Sequence, residues 1–205
     1  MAWTIDTNFG STLTATTAFA PFDTAGGNRV INFGAGIVYR DDFTITDMQI
    51  ECDLVVKNQI QIAGFTYDPF AFLIGRRQTS DGSFYAVGYT QVTSGLGGRR
   101  GQMNLFKYNG TSDVFTTLAE SLILATDLDA PVELELLKYR LKVNGSSIQG
   151  SLLNSSGVVL LQVSDVDTEF SSAGNPGIGG ALVIPFGQSR FQPTISADNL
   201  QIDSI

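Results

Sequence analysis

A chain of 205 residues is long enough to bury about 70% of the surface its unfolded form exposes, so it needs no disulfide or metal staple to fold. Twenty acidic against twelve basic residues leave a net charge of −8, the wrong sign for a nucleic-acid backbone or an anionic membrane, and neither is expected as a partner. Histidine is absent and Cys52 is the only cysteine, which removes imidazole-based catalysis and metal binding, intrachain disulfides, zinc ribbons and iron–sulfur sites.

From the N-terminus, Met1-Ala2-Trp3-Thr4-Ile5-Asp6 has neither the basic region nor the apolar core of a secretory signal, so the chain is expected to be made in the cytoplasm. Nothing downstream approaches the apolar length needed to cross a bilayer. Turn signals are dense, at Gly26-Gly27, Asp81-Gly82, Gly97-Gly98, Asn109-Gly110, Asn144-Gly145 and Ser156-Gly157, and such pairs accept the positive φ angles of tight hairpins. Between them the apolar period is two. Met48, Ile50, Cys52, Leu54 and Val56 alternate with mostly polar residues, which predicts a half-buried strand with Cys52 in the core.

The loop Gly64 to Phe70 offers exposed rings, and Arg76-Arg77 should alternate across a strand, one toward solvent and one toward an acidic partner. Tyr85-Val87-Tyr89 predicts a second strand. Ser94 to Gly101 reads as a basic loop carrying Arg99 and Arg100. Thr117 to Leu124 is the one stretch with a hint of helical spacing, a turn or two. Val132-Leu134-Leu136 alternates with Glu133 and Glu135, and Leu141-Val143 leads through Asn144-Gly145 to Ile148-Gly150-Leu152, a hairpin. Gly174-Asn175-Pro176-Gly177-Ile178-Gly179 has no lysine and no following helix, so it is read as a turn and not a phosphate loop. Ala181 to Ile184 predicts a buried strand before Pro185, and Asn199 to Asp203 a final one. Many short strands at this spacing predict an all-β antiparallel sandwich or jelly roll, with residues 1–205 as a single domain.

Several short motifs occur in a telling order: Phe72-Leu73-Ile74-Gly75-Arg76-Arg77, Phe84-Tyr85-Ala86-Val87, Leu105-Phe106-Lys107-Tyr108-Asn109-Gly110, Val132 to Gly157, Gly174 to Gly179, and Ser196 to Ile202. Together they resemble the concanavalin A-like lectin/glucanase jelly rolls, the group that includes laminin-G-like modules and domains attached to glycosidases. The resemblance implies an N-terminal strand paired with the C-terminal one, which suits Phe9 to Phe22 and the strand at 48–56. It also implies calcium as the ion of the fold, with Asp198 at the matching position and Asp6, Asn8, Asp23 and Asn28 as candidate partners; no cofactor is required.

Hydrolases of this group carry alternating carboxylates on one strand, because glycoside hydrolysis needs an acid and a second carboxylate across the bond. Glu133 and Glu135 come nearest, yet the Glu-x-Asp-x-Glu pattern is missing, and the chain is expected not to be an enzyme. Sugar binding needs ring faces with amide or charged groups beside them, for which Tyr67, Phe70, Arg99 and Arg100 are the candidates. The expected function is a non-catalytic interaction module, a structural or decoration protein displayed on a bacteriophage virion as capsid cement or tail/fibre component. It would contact other virion proteins or identical subunits through Trp3, Tyr67 and Phe70. The alternative is a lectin-like protein binding glycans for host adhesion; a glycoside hydrolase or polysaccharide lyase ranks behind both.

Overall fold

A computed structural model describes residues 3–5, 31–33, 36–57, 60–62, 65–67, 70–93, 99–124, 137–181 and 194–205, which form an all-β sandwich of two antiparallel sheets. In the nine-stranded sheet A the neighbours are β1 (Trp3–Ile5), β3 (Gly36–Arg40), β14 (Asn175–Ala181), β7 (Phe70–Arg77), β8 (Phe84–Thr93), β9 (Arg99–Asn109) and β10 (Val114–Leu124). The short hairpin of β5 (Ile60–Ile62) and β6 (Phe65–Tyr67) joins the far end of β8. The six-stranded sheet B runs β13 (Val159–Val166), β12 (Ser147–Leu153), β11 (Leu137–Asn144), β4 (Met48–Lys57), β15 (Thr194–Ser204) and β2 (Ile31–Phe33). Among the described residues there is no helix, hence none long and apolar enough to cross a membrane.

Alternation places the core between the sheets. Met48, Ile50, Cys52 and Leu54 of β4, with Leu137, Tyr139, Leu141 and Val143 of β11, are fully buried against Leu73, Tyr85, Val87, Met103 and Leu105 of sheet A. Cys52 is the core residue its position predicts. Gly150 on β12 lets the sheets close: a Cβ there would stand 2.2 Å from Val87 Cγ2, so any side chain would drive the layers apart. The β7–β8 and β11–β12 hairpins turn through Gly82 and Gly145, whose φ angles are 77° and 55°, as their Asp-Gly and Asn-Gly sequences predict.

Three expectations are corrected. Thr117 to Leu124 is not helical but belongs to β10, and a bulge between Thr117 and Ala119 explains the misleading spacing. The extra residue lets Leu118 and Ala119 both pack toward the core, which breaks the period of two. Gly174 to Gly179 is not a turn either, since β14 runs through the middle of sheet A between β3 and β7. Its glycines make room for neighbours, a Cβ at Gly179 falling 2.1 Å from the Phe72 ring.

Finally, neither arginine of the Arg76-Arg77 pair meets solvent: they are 1% and 7% exposed. Arg76 Nε donates to the carbonyl of Thr46, Nη1 to those of Gly145 (2.7 Å) and Phe170 (3.3 Å), and Nη2 to Asp47 Oδ1 (2.8 Å). One planar fork thus ties together the connections before β4, after β11 and after β13. The Arg77 guanidinium lies over the Tyr39 ring, 3.9 Å from its centroid, a cation–π contact.

The C-terminal strand β15 pairs along its length with β4, the strand at 48–57 that suits the family resemblance, and on its other side with Ile31–Phe33. Phe9 to Phe22, Gly26-Gly27, Gly97-Gly98, Glu133, Glu135 and residues 182–184 lie outside the described residues.

Candidate functional site

Period-two alternation on sheet A also produces a second apolar face, turned away from sheet B. Ile37, Phe72, Ile74, Phe84, Ala86, Phe106 and Tyr108 are buried there as one cluster. Phe72 stacks on Phe84 with centroids 6.2 Å apart and meets the edge of Phe106 at 5.4 Å, while Phe84 lies 5.0 Å from Tyr108. These are the offset and edge-on arrangements that the ring quadrupole favours.

The layer opens to solvent at its β10 edge. Phe115, directly opposite Tyr108 in register, is 46% exposed. Its ring is held at 4.9 Å from Tyr108, 5.3 Å from Phe106 and 6.4 Å from Phe84. The Tyr108 hydroxyl donates to Asp113 Oδ1 at 2.8 Å, which fixes the platform beneath. Along the same face Thr117 stands opposite Phe106, Glu120 opposite Asn104, and Gln102 Nε2 donates to Glu120 Oε2 at 2.7 Å. Glu120 is the only carboxylate borne by the described strands of sheet A. The bulge at Leu118 decides this arrangement, because it lets Phe115 and Thr117 before it and Glu120 after it share one face.

A second polar constellation sits where β8 and β9 leave the core. Lys107 Nζ contacts Asp167 Oδ2 and Glu169 Oε2, each at 2.6 Å. The Tyr85 hydroxyl donates to Asp167 Oδ1, also at 2.6 Å. Burial acts to raise the Asp167 carboxyl, but the hydrogen bonds from Lys107, Tyr85 and the Glu169 N–H outweigh it and leave its pKa lowered. Those same bonds to Asp167 and Glu169 raise the Lys107 ammonium, while burial, then Asp167, raises the Tyr85 phenol. Lys107, Tyr85 and the Glu169 N–H all bond to Asp167 within the fold, so the cluster reads as a clamp on the connection after β13. Elsewhere on sheet A, Arg40 grips Asp42 through two bonds of 2.7 and 2.6 Å and holds that carboxyl below its usual range.

Of the residues singled out from sequence, Tyr67, Phe70, Arg99 and Arg100 fall at one end of sheet A, where β6, β8 and β9 place Tyr67, Val92 and Arg100 in line, whereas Trp3 is on the far edge strand β1 and Asp198 on sheet B. Trp3 lies opposite Arg40 on β1, Tyr67 on β6 opposite Ile60 and Val92, and Phe70 opens β7 opposite Ala181. Arg99 and Arg100 begin β9 as strand residues, not a loop. Asp198 stands on β15 opposite Asp53, whose Oδ2 accepts from Asn199 Nδ2 at 2.7 Å. The side chains of Trp3, Tyr67, Phe70, Arg99, Arg100 and Asp198 are outside the described set. Among the described residues no three His, Cys, Asp or Glu side chains form a group that could hold a metal ion. Phe115 escaped the sequence reading because its strand looked helical; its signal was the Asn109-Gly110 turn, which joins β9 to a returning strand.

Solved structures share this architecture. A CBM2 module of the evolved Dit of Lactobacillus casei BL23 phage J-1 superposes with a TM-score of 0.55 at 11% identity, over 92% of this chain and 80% of that one. The Bacillus licheniformis beta-glucanase gives 0.52 at 12% identity, over 99% and 92%. A glycoside hydrolase family 16 endo-glucanase from Bacteroides ovatus gives 0.52 at 11% identity, over 98% and 94%. The fold is a concanavalin A-like jelly roll. No protein-family model and no curated protein matches the sequence. The expectation that the chain is not an enzyme is corrected by these likenesses: the jelly roll is shared with endo-glucanases, and a missing Glu-x-Asp-x-Glu motif does not carry that conclusion.

Proposed function

We propose that this concanavalin A-like jelly roll engages polysaccharide on the outer face of sheet A, as a component of a bacteriophage particle. The observation that carries the reading is the aromatic layer on that face, closed over Phe72, Phe84 and Phe106 but opening at Phe115 beside amide, hydroxyl and carboxylate groups. Ring faces with a few placed polar groups are what sugar recognition uses. Likeness to a module of a phage protein and to two glucanases supports it. The test is retardation of the protein in native gels cast with different polysaccharides, together with antibody labelling of purified virions. Retardation in at least one gel and labelled particles are expected; migration unchanged in every gel sinks the polysaccharide reading, and unlabelled virions sink the particle.

The glucanase likenesses favour a second reading, in which the bound chain is also hydrolysed. Hydrolysis needs two carboxylates about the bond. Glu120, the carboxylate on the described strands of sheet A, would supply one. Reducing ends released from a bound polysaccharide, and lost in Glu120→Gln, are the expected signature; undiminished release in Glu120→Gln removes Glu120 from that role.

A further inference from the structure

We propose that β9 and β10 form an extended strip for a single chain of neutral polysaccharide, Phe115 stacking on one pyranose ring and Gln102, Asn104 and Glu120 hydrogen-bonding hydroxyls further along. The proposal rests on the polysaccharide reading above and gives it residues, a direction and a ligand class.

Phe115 is held on three sides by other rings, so its exposed face is positioned before a ligand arrives and little side-chain freedom is lost on binding. A pyranose offers such a face its C–H groups and keeps its hydroxyls at the rim, where amides and carboxylates reach them. The next groups along the strip are of that kind: Thr117, then Asn104 and Glu120 facing each other, then Gln102. A protein partner adding a strand to this edge is disfavoured, because the bulge at Leu118 interrupts the ladder that an incoming strand would have to match.

Length and charge narrow the ligand. From Tyr108, opposite Phe115, to Gln102 is six residues of β9, about 20 Å at ~3.4 Å per residue. That span takes several sugar units, so the ligand is a polymer and not a monosaccharide. Glu120, exposed in the strip of a chain with net charge −8, repels sulfated or uronic polymers.

The experiment is a titration of the full chain with soluble mixed-linkage β-glucan, mannan, galactan and a sulfated galactan, followed by size-fractionated oligosaccharides of whichever binds. Binding to a neutral polymer is expected, strengthening with oligosaccharide length. Phe115→Ala should weaken it at least tenfold and Phe115→Trp should retain it. Should Phe115→Ala fail to fold, Thr117→Arg crowds the strip from an exposed position while leaving the aromatic residues themselves unaltered and should weaken binding comparably. Neutral polymer bound as tightly by Phe115→Ala, or by Thr117→Arg where Phe115→Ala does not fold, as by the unaltered chain overturns the strip while the polysaccharide reading stands. Preference for the sulfated galactan overturns the ligand class. Silence of the unaltered chain toward all four polymers overturns both proposal and reading.

Discussion

The Tyr85 hydroxyl donates to Asp167 Oδ1 across 2.6 Å while it accepts the amide of Phe170 at 2.9 Å. A phenol anchored in the core of sheet A thereby holds the connection that leads from sheet B back into β14. Arg76 grips the same connection through the Phe170 carbonyl, so the two sheets are tied at this end by directional bonds in addition to packing.

Acid should release that clamp. The lowered Asp167 pKa means the folded state binds its proton less readily than the unfolded chain does. Its contribution is therefore full above the unfolded value, about 3.9, and is lost as pH falls through the folded one. On the alkaline side Lys107 and Tyr85, both raised, contribute fully below about 10 and lose that contribution as pH climbs further. Melting temperature against pH should fall at both ends. Asp167→Asn should cost about 1.5–3 kcal/mol at neutral pH and flatten the acid limb; an unchanged acid limb would contradict the assignment.

Arg76 should be irreplaceable by lysine. Its fork serves four acceptors on three connections, whereas an ammonium is a single point of charge with different geometry. Arg76→Lys and Arg76→Met are both expected to lower stability in urea unfolding, Met by about 3–5 kcal/mol because acceptors around a buried charge lose their partner. Arg76→Lys melting with the unaltered protein would show that the fork is dispensable.

Gly150 and Val87 set the spacing between the sheets. Gly150→Ala places a methyl 2.2 Å from Val87 Cγ2 and should cost about 1–3 kcal/mol by overpacking. Combined with Val87→Ala, which vacates that volume, the double variant should lose less than the sum of the single losses, and a double-mutant cycle measures the difference. Strict additivity would place the clash elsewhere.

Cys52 is fully buried on β4 between Ile50 and Leu54. In the native protein its thiol should react with an aromatic disulfide reagent only as fast as the protein opens, and at the rate of a free thiol in denaturant. Rapid native modification would mean β4 frays.

Much of sheet B was legible in the sequence, and sheet A less so. Met48 to Leu54 and the Asn144-Gly145 hairpin announce themselves because period-two burial and positive-φ turns are local properties that few other folds satisfy. β10 and β14 did not. In β10 one bulged residue shifts the apolar phase, and in β14 the glycines mimic a turn although they exist to admit Phe72 and the backbone of β3.

By itself the sequence determined the fold class, the buried place of Cys52 and the exclusion of histidine chemistry and disulfides, because composition and alternation act residue by residue. Tertiary structure alone decided which groups meet. Arg76 collects carbonyls from Thr46, Gly145 and Phe170, and Phe115 joins rings from β8 and β9 with Glu120 on the same face. Those encounters depend on strand order and on a single bulge, and neither is written in any one stretch of chain.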